Sequence, residues 1–292
     1  MSSPEGVAPT PVYRAGTSDA EIEAAAAAAA RKRRRTVLAW RWFILIAFLG
    51  GWEVATRTHL IKALFFSSPS AVAARLYEWV TQGADGVSLW YHLWVTTEES
   101  LIGFFTGAIA GVLIGVALGR NKMAADVFSI YIKLINSVPR VVLAPIFIML
   151  FGLGLTSKVA LSFVMVFFVV FSNAFQGVRE ADRSLIANAQ ILGASQWQLT
   201  RTVIVPSAMS WIFASLHVSF GFAIVGAIVG EFVGSRYGIG LLINVAQGSF
   251  DAAGMYAAIV IIMGVALTAE YLMTLLEHRL AKWRPAPLQE TA

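Results

Sequence analysis

The 292-residue chain is 58% hydrophobic and only 13% charged, with a mean hydropathy of +0.70. Soluble domains carry about twice that share of charge, so the apolar excess requires a lipid solvent. A soluble enzyme, a disordered chain and a secreted disulfide scaffold are excluded on this ground. The chain has no cysteine, which removes disulfides, thiolate metal sites and cysteine nucleophiles. The net charge of +5 is read against membrane topology before any nucleic-acid role is considered.

Residues 1–36 read as a cytoplasmic basic tail, rich in small residues and with too little apolar bulk for a core, and therefore disordered. It includes the alanine run Ala24 to Ala30 and ends in the basic block Arg31 to Arg35. That block reads as a topology anchor for the span that follows rather than as a nucleic-acid contact. Crossing the hydrocarbon takes about 20 mostly apolar residues. Six stretches meet this, at about 37–55, 101–119, 128–151, 159–178, 211–230 and 252–276. The third holds Lys133, Arg140 and Pro139, and the proline is expected to kink or break it.

With the N-terminus inside, fifteen of the 22 basic residues fall on inner segments and five, Lys158 among them, on outer ones. This bias fits an even number of spans with both termini cytoplasmic. In the long connection after the first span, Ser68 and Pro69 predict a capped short helix lying along the interface. Its apolar face is formed by Val72, Leu76 and Val80. Trp79, Trp90, Tyr91 and Trp94 fit an interfacial aromatic belt.

Gly103, Gly107, Gly111, Gly115 and Gly119 recur every four residues through the second span, a stripe that lets helix backbones approach closely in lipid. Gly226, Gly230, Gly234 and Gly238 repeat the spacing. The stripes fit a compact bundle, with either static packing or a sliding contact.

Between the fourth and fifth spans lie about 33 patterned residues. Asp182 is placed to cap a helix from Arg183, Gly193 to break it, and Ser195 to cap a second short helix that Pro206 ends. Leu192, Trp197 and Leu199 are exposed apolar groups that call for a partner surface.

At this loop the sequence resembles the membrane subunits of bacterial ABC importers. Their Glu-Ala-Ala loop is matched by Ala187-Asn188-Ala189, then Gly193 and Ala194, then Val203 and Val205-Pro206, with the initial Glu replaced by Ala187. Further matching stretches are Ser68-Pro69-Ser70, Gly103-Phe104, Asn136 to Pro139 with Ala144-Pro145, Phe151 to Gly154, and Glu231 with Gly238 to Gly240. The resemblance runs from about residue 67 to 284 and is closest to the nitrate/sulfonate/taurine branch.

It implies an all-α membrane protein: a six-helix type I ABC importer transmembrane domain over 37–284 with a cytoplasmic coupling helix, followed by a C-terminal tail at 285–292. It also implies a bacterial inner-membrane location and a permease role for a small anionic solute. A thiamine precursor, riboflavin or an aromatic acid is the alternative solute. The implied partners are an ABC ATPase dimer carrying ATP and magnesium, a periplasmic or lipid-anchored solute-binding protein and a second permease copy, with no nucleic acid. No cofactor, metal or catalytic residue is expected in this chain. Arg140 and Glu231 are candidate pathway residues, with mutual pairing as the alternative. Glu98 and Glu99 are placed at the outer mouth, either solvated or facing the binding protein. A secondary transporter and a membrane-embedded enzyme using scattered groups such as His217 and Glu270 are the competing classes.

Overall fold

The computed structural model describes residues 19–280. The chain divides after Leu60 into two units. The first is built on one helix, α1 (Asp19–Arg57). Helix therefore replaces the expected disorder from Asp19 to Thr36, because alanine and arginine are strong helix formers that continue the apolar span without a breaker. Residues 1–18, with Arg14, lie outside the described residues. So do Lys282, Arg284 and the tail at 285–292.

The second unit opens with α2 (Ala63–Phe66) and α3 (Pro69–Gln82). The hydroxyl of Ser68 accepts from the amide of Ala71 at 3.3 Å, as its N-cap position demands. Trp79 is buried rather than interfacial, while Trp90 and Trp94 are exposed. Arg75 of α3 pairs with Asp251 at 3.1 Å.

The core comprises α4 (Leu89–Arg120), α7 (Leu155–Arg179) and α10 (Val205–Val233). Each of the three packs on the other two, most extensively α4 and α10 on α7. The first glycine stripe faces α7 along its whole length. A Cβ at Gly107 would lie 2.8 Å from the carbonyl oxygen of Phe163, and one at Gly115 or Gly119 would be equally crowded by Ala174 and Val178. Backbone meets backbone here, so the stripe is a tight packing surface. From α10, Gly226 presses on Ser162, which Gly103 of the first stripe also meets, and Gly230 presses on Lys158. The hydroxyl of Ser162 donates to the carbonyl of Ala223 at 3.0 Å.

The third span is broken as expected. α5 (Lys122–Asn136) ends before Pro139, a tight turn covers Arg140–Leu143, and α6 (Ala144–Phe151) follows at a 78° bend. α8 (Arg183–Ile191) and α9 (Gln196–Leu199) precede α10. α11 (Ile239–Gly248) and α12 (Ala252–Leu280) complete the described chain. Among the described residues, five helices are long and apolar enough to span a membrane, six when the bent pair counts as one.

Pro206 does not end a helix. It occupies the first turn of α10, and Thr200–Ile204 forms a π-turn that carries α9 into α10 without a stop. Proline lacks the amide that would bond four residues back, and the wider turn absorbs that vacancy. The hydroxyls of Thr202 and Ser207 bond the carbonyls of Gln198 and Val203 at 2.7 Å each.

Candidate functional site

The segment α8–α9 is built by local punctuation. Asp182 Oδ1 accepts from both the amide and the hydroxyl of Ser184 at 2.7 Å. Those bonds hold its carboxyl below the usual aspartate range. At the other end, the amide of Gly193 bonds the carbonyl of Gln190 and that of Ala194 bonds Ala189, each at 3.0 Å. This is a Schellman turn, and Gly193 takes the left-handed position with φ of +79°. Ser195 then closes a reciprocal capping box with Gln198.

The segment has two faces. Leu199 and Ile204 are buried in a cluster with Ala174, Val178, Ala208 and Ile212, against which Ile186, Ala189 and Val203 pack. The opposite face leaves Ile191 83% and Leu192 86% exposed, with Trp197 and Leu185 also exposed. Ala187, Asn188 and Pro206 are exposed, whereas Ala194 and Val205 are half-buried. Leu199, expected on the free face, is an anchor.

Arg140 lies at the bend of the third span. Its guanidinium donates to Asn136 Oδ1 at 2.6 Å and stands 5.2 Å from the centre of the Phe168 ring. Asn136 in turn donates to Ser172 at 3.0 Å. Arg140 Nε is buried and has no hydrogen-bond partner among the described residues. Charge, amide, hydroxyl and ring are thus gathered where the backbone is broken.

Glu231 is not beside Arg140. It is fully buried and belongs to a polar network at the end of α10 opposite α8–α9. Its carboxylate accepts from Thr96 at 2.7 Å and from the amide of Gly240 at 2.6 Å. The amide of Ile239 donates to Thr96 Oγ1 at 2.9 Å, and that of Gly238 to His92 Nδ1 at 3.0 Å. Since Nδ1 accepts, the proton of His92 sits on Nε2, which reaches the carbonyl of Ala84 at 3.2 Å. Three successive amides opening α11 are therefore capped by side chains from α4 and α10. Gly238 must be glycine, since its φ is +110° and a Cβ would strike the Glu231 carboxyl.

Glu99 and Lys158 correct the sequence reading. Lys158, counted on an outer segment, is fully buried in α7 and donates to the carbonyl of Leu153. Glu99, placed at a solvated mouth, is 2% exposed and lies against Glu231, with Lys158 as its electrostatic neighbour. Glu98 is half-buried. The missed members are His92, Thr96 and Lys158. A charged residue flanked by apolar stretches was the available signal, but their partners lie too far along the chain to be read. His217 and Glu270 pair with each other at 3.3 Å, away from this network.

The described residues thus form a helical core with a broken span and an exposed, sharply capped segment between two helices long and apolar enough to span a membrane. The comparisons name the family. Residues 107–282 match the model described as binding-protein-dependent transport system inner membrane component, and the chain belongs to that family. It is 33% identical to the riboflavin transport system permease protein RibX of Chloroflexus aurantiacus, over 82% of this chain and 88% of that one. It is 28% identical to the taurine transport system permease protein TauC of Escherichia coli, over 84% and 94%. The fold matches a chain of the inward-facing MetNI methionine ABC transporter with a TM-score of 0.56 at 19% identity, over 66% of this chain and 96% of that one. The protein is a permease subunit of an ABC importer.

Proposed function

We propose that α8–α9 is the lever through which a separate ATPase dimer, carrying ATP and magnesium, drives this permease. The observation that carries the reading is the pair Ile191 and Leu192. They are almost fully exposed on a segment whose other face is anchored in the core. Apolar groups so exposed need a partner surface. Ala187 replaces the acidic residue of the family pattern, so the contact relies on apolar burial. On this reading the α8 end faces the cytoplasm with both termini, and a solute-binding protein docks at the α11 end. A second copy of this chain completes the pathway.

The solute is a small anion, met at the bend by Arg140 with Asn136, Ser172 and Phe168. The sulfonate and taurine permeases among the relatives support this. Riboflavin is the second reading, favoured by the RibX relative and by the Phe168 ring. Glu231 serves as a fastening of α11, because both its oxygens are engaged within the core.

Leu192→Asp and Trp197→Asp are expected to abolish co-purification with the ATPase subunit while leaving the permease folded. Retained assembly in both would sink the lever. Arg140→Gln is expected to weaken uptake of a sulfonate at least tenfold in apparent affinity. Unchanged uptake would remove Arg140 from the pathway.

A further inference from the structure

The ends of α4, α5 and α7 meet the coupling segment around a cavity of about 180 Å³. One part of its lining is apolar, with Ile186 of α8 and Ile204 of the π-turn beside Val178. The other part carries three cations, Arg120, Lys122 and Arg179. Arg179 has an acid partner, Asp126, at 3.6 Å. Arg120 and Lys122 are exposed and make no ion pair among the described residues, so both are free to meet an anion.

Helix electrostatics account for only part of this set. Arg120 and Arg179 stand in the last turns of α4 and α7, where a cation offsets the carbonyl end of the dipole. Lys122 opens α5, where the amide end of a helix disfavours a cation. An anion shared with Arg120 would offset that cost. The cavity lies where three membrane helices begin or end, and α5 exposes Met123 and Val127 in the turn after Lys122. An anion carrying an acyl chain matches charge and apolar surface together. Basic pockets between membrane helices at the cytoplasmic face bind such headgroups.

We propose that this cavity binds the phosphate of an anionic phospholipid, which ties the membrane helices to the coupling segment through Ile186 and Ile204. The site rests on the proposed function only for the side of the membrane that it faces. Its occupancy would set how firmly the lever is held against the core.

The test is lipid retention by the purified full-length permease, read by native mass spectrometry after reconstitution with phosphatidylglycerol and phosphatidylcholine. The wild type is expected to retain phosphatidylglycerol in preference. Cations near a membrane surface contribute about fivefold each to anionic-lipid binding, so Arg120→Gln/Lys122→Gln should lower that preference about thirtyfold. Arg33→Gln/Arg34→Gln in the basic block of α1 is the control and should leave the tightly retained lipid in place. An unchanged preference in the first variant, or an equal loss in the control, overturns the site. Displacement by millimolar inorganic phosphate assigns the cations to a soluble anion and overturns the lipid. Loss of bound lipid on adding the ATPase subunit assigns them to that contact, with the same consequence. Lipid retention by the permease alone needs neither transport nor ATPase binding, so failure of the coupling reading and failure of this one are separately visible.

Discussion

Replacing Glu231 by alanine tests whether the buried network fastens α11. The side chain accepts from Thr96 and Gly240, both at a site closed to water. Alanine leaves the buried Gly240 amide without an acceptor, at about 1–3 kcal/mol, and removes a buried methylene, at about 1 kcal/mol, so the expected loss is roughly 2–4 kcal/mol. Glutamine keeps the shape and one acceptor for Gly240 but turns an amide NH₂ toward Thr96. The Thr96 hydroxyl retains its second acceptor, the carbonyl of His92 at 3.2 Å, so this variant should lose only about 1–3 kcal/mol. One kcal/mol lowers the melting temperature of a domain this size by about 2–4 °C. Glu231→Ala should therefore melt at least about 4 °C below wild type in detergent, with Glu231→Gln between them. Glu78→Ala, which removes only a half-exposed contact to Arg75, should stay within about 1 kcal/mol. A melting curve for Glu231→Ala that overlies that of the wild type would refute the argument.

Gly111→Ala places a Cβ 3.0 Å from the carbonyl oxygen of Phe167 and should cost about 1–3 kcal/mol, seen as a lower melting temperature. Gly193→Val forces a branched residue into the left-handed region and should weaken ATPase co-purification, while Gly193→Asn, which tolerates that conformation, should restore most of it. Equal loss in both would deny the role of backbone conformation. The depressed Asp182 carboxyl implies a cap present above the ordinary aspartate range and lost only as pH falls through its lower folded value. A carboxyl-carbon NMR titration should place its midpoint below that of an unstructured aspartate. Deleting Thr202 converts the π-turn to regular helix and rotates α8–α9 by about 100° relative to α10. Transport should fail, and normal uptake would show that the register is immaterial.

Features set by neighbours in the chain were legible in the sequence. Ser68 before Pro69, Asp182 before Arg183, Gly193 and Ser195 each act within four residues, and each sits where its chemistry places it. The break at Pro139 is of the same kind. The core network was not legible, because Thr96 and Glu231 are 135 residues apart and nothing local marks them as partners. Lys158 read as a loop cation since its burial depends on α4 and α10 closing over α7. The glycine stripe was visible, but the backbone of Phe163 and Phe167 that it meets was not. Pro206 misled because a proline reads as a stop, whereas a π-turn two residues earlier lets the helix pass through it.

That passage has a mechanical consequence. From Gln196 to Val233 the helix runs 38 residues without interruption, about 57 Å at the rise of a helix. One end is the capped turn after Gly193, and the other carries Glu231 and, through it, the first amides of α11. Between them, Gly226 and Gly230 lock the rod onto α7, which the first glycine stripe locks onto α4. Interfaces packed backbone to backbone do not deform continuously. If α8–α9 is the lever, a force applied at Leu192 or Trp197 would be borne by α4, α7 and α10 as one body. The bend at Arg140–Leu143 is where the backbone departs from this regularity, and it is there that an arginine, an asparagine and a ring are brought together. On the proposed coupling, rigid packing and the broken span would divide the work: the three-helix core would transmit the displacement, and the bend would hold the polar groups that a solute can meet.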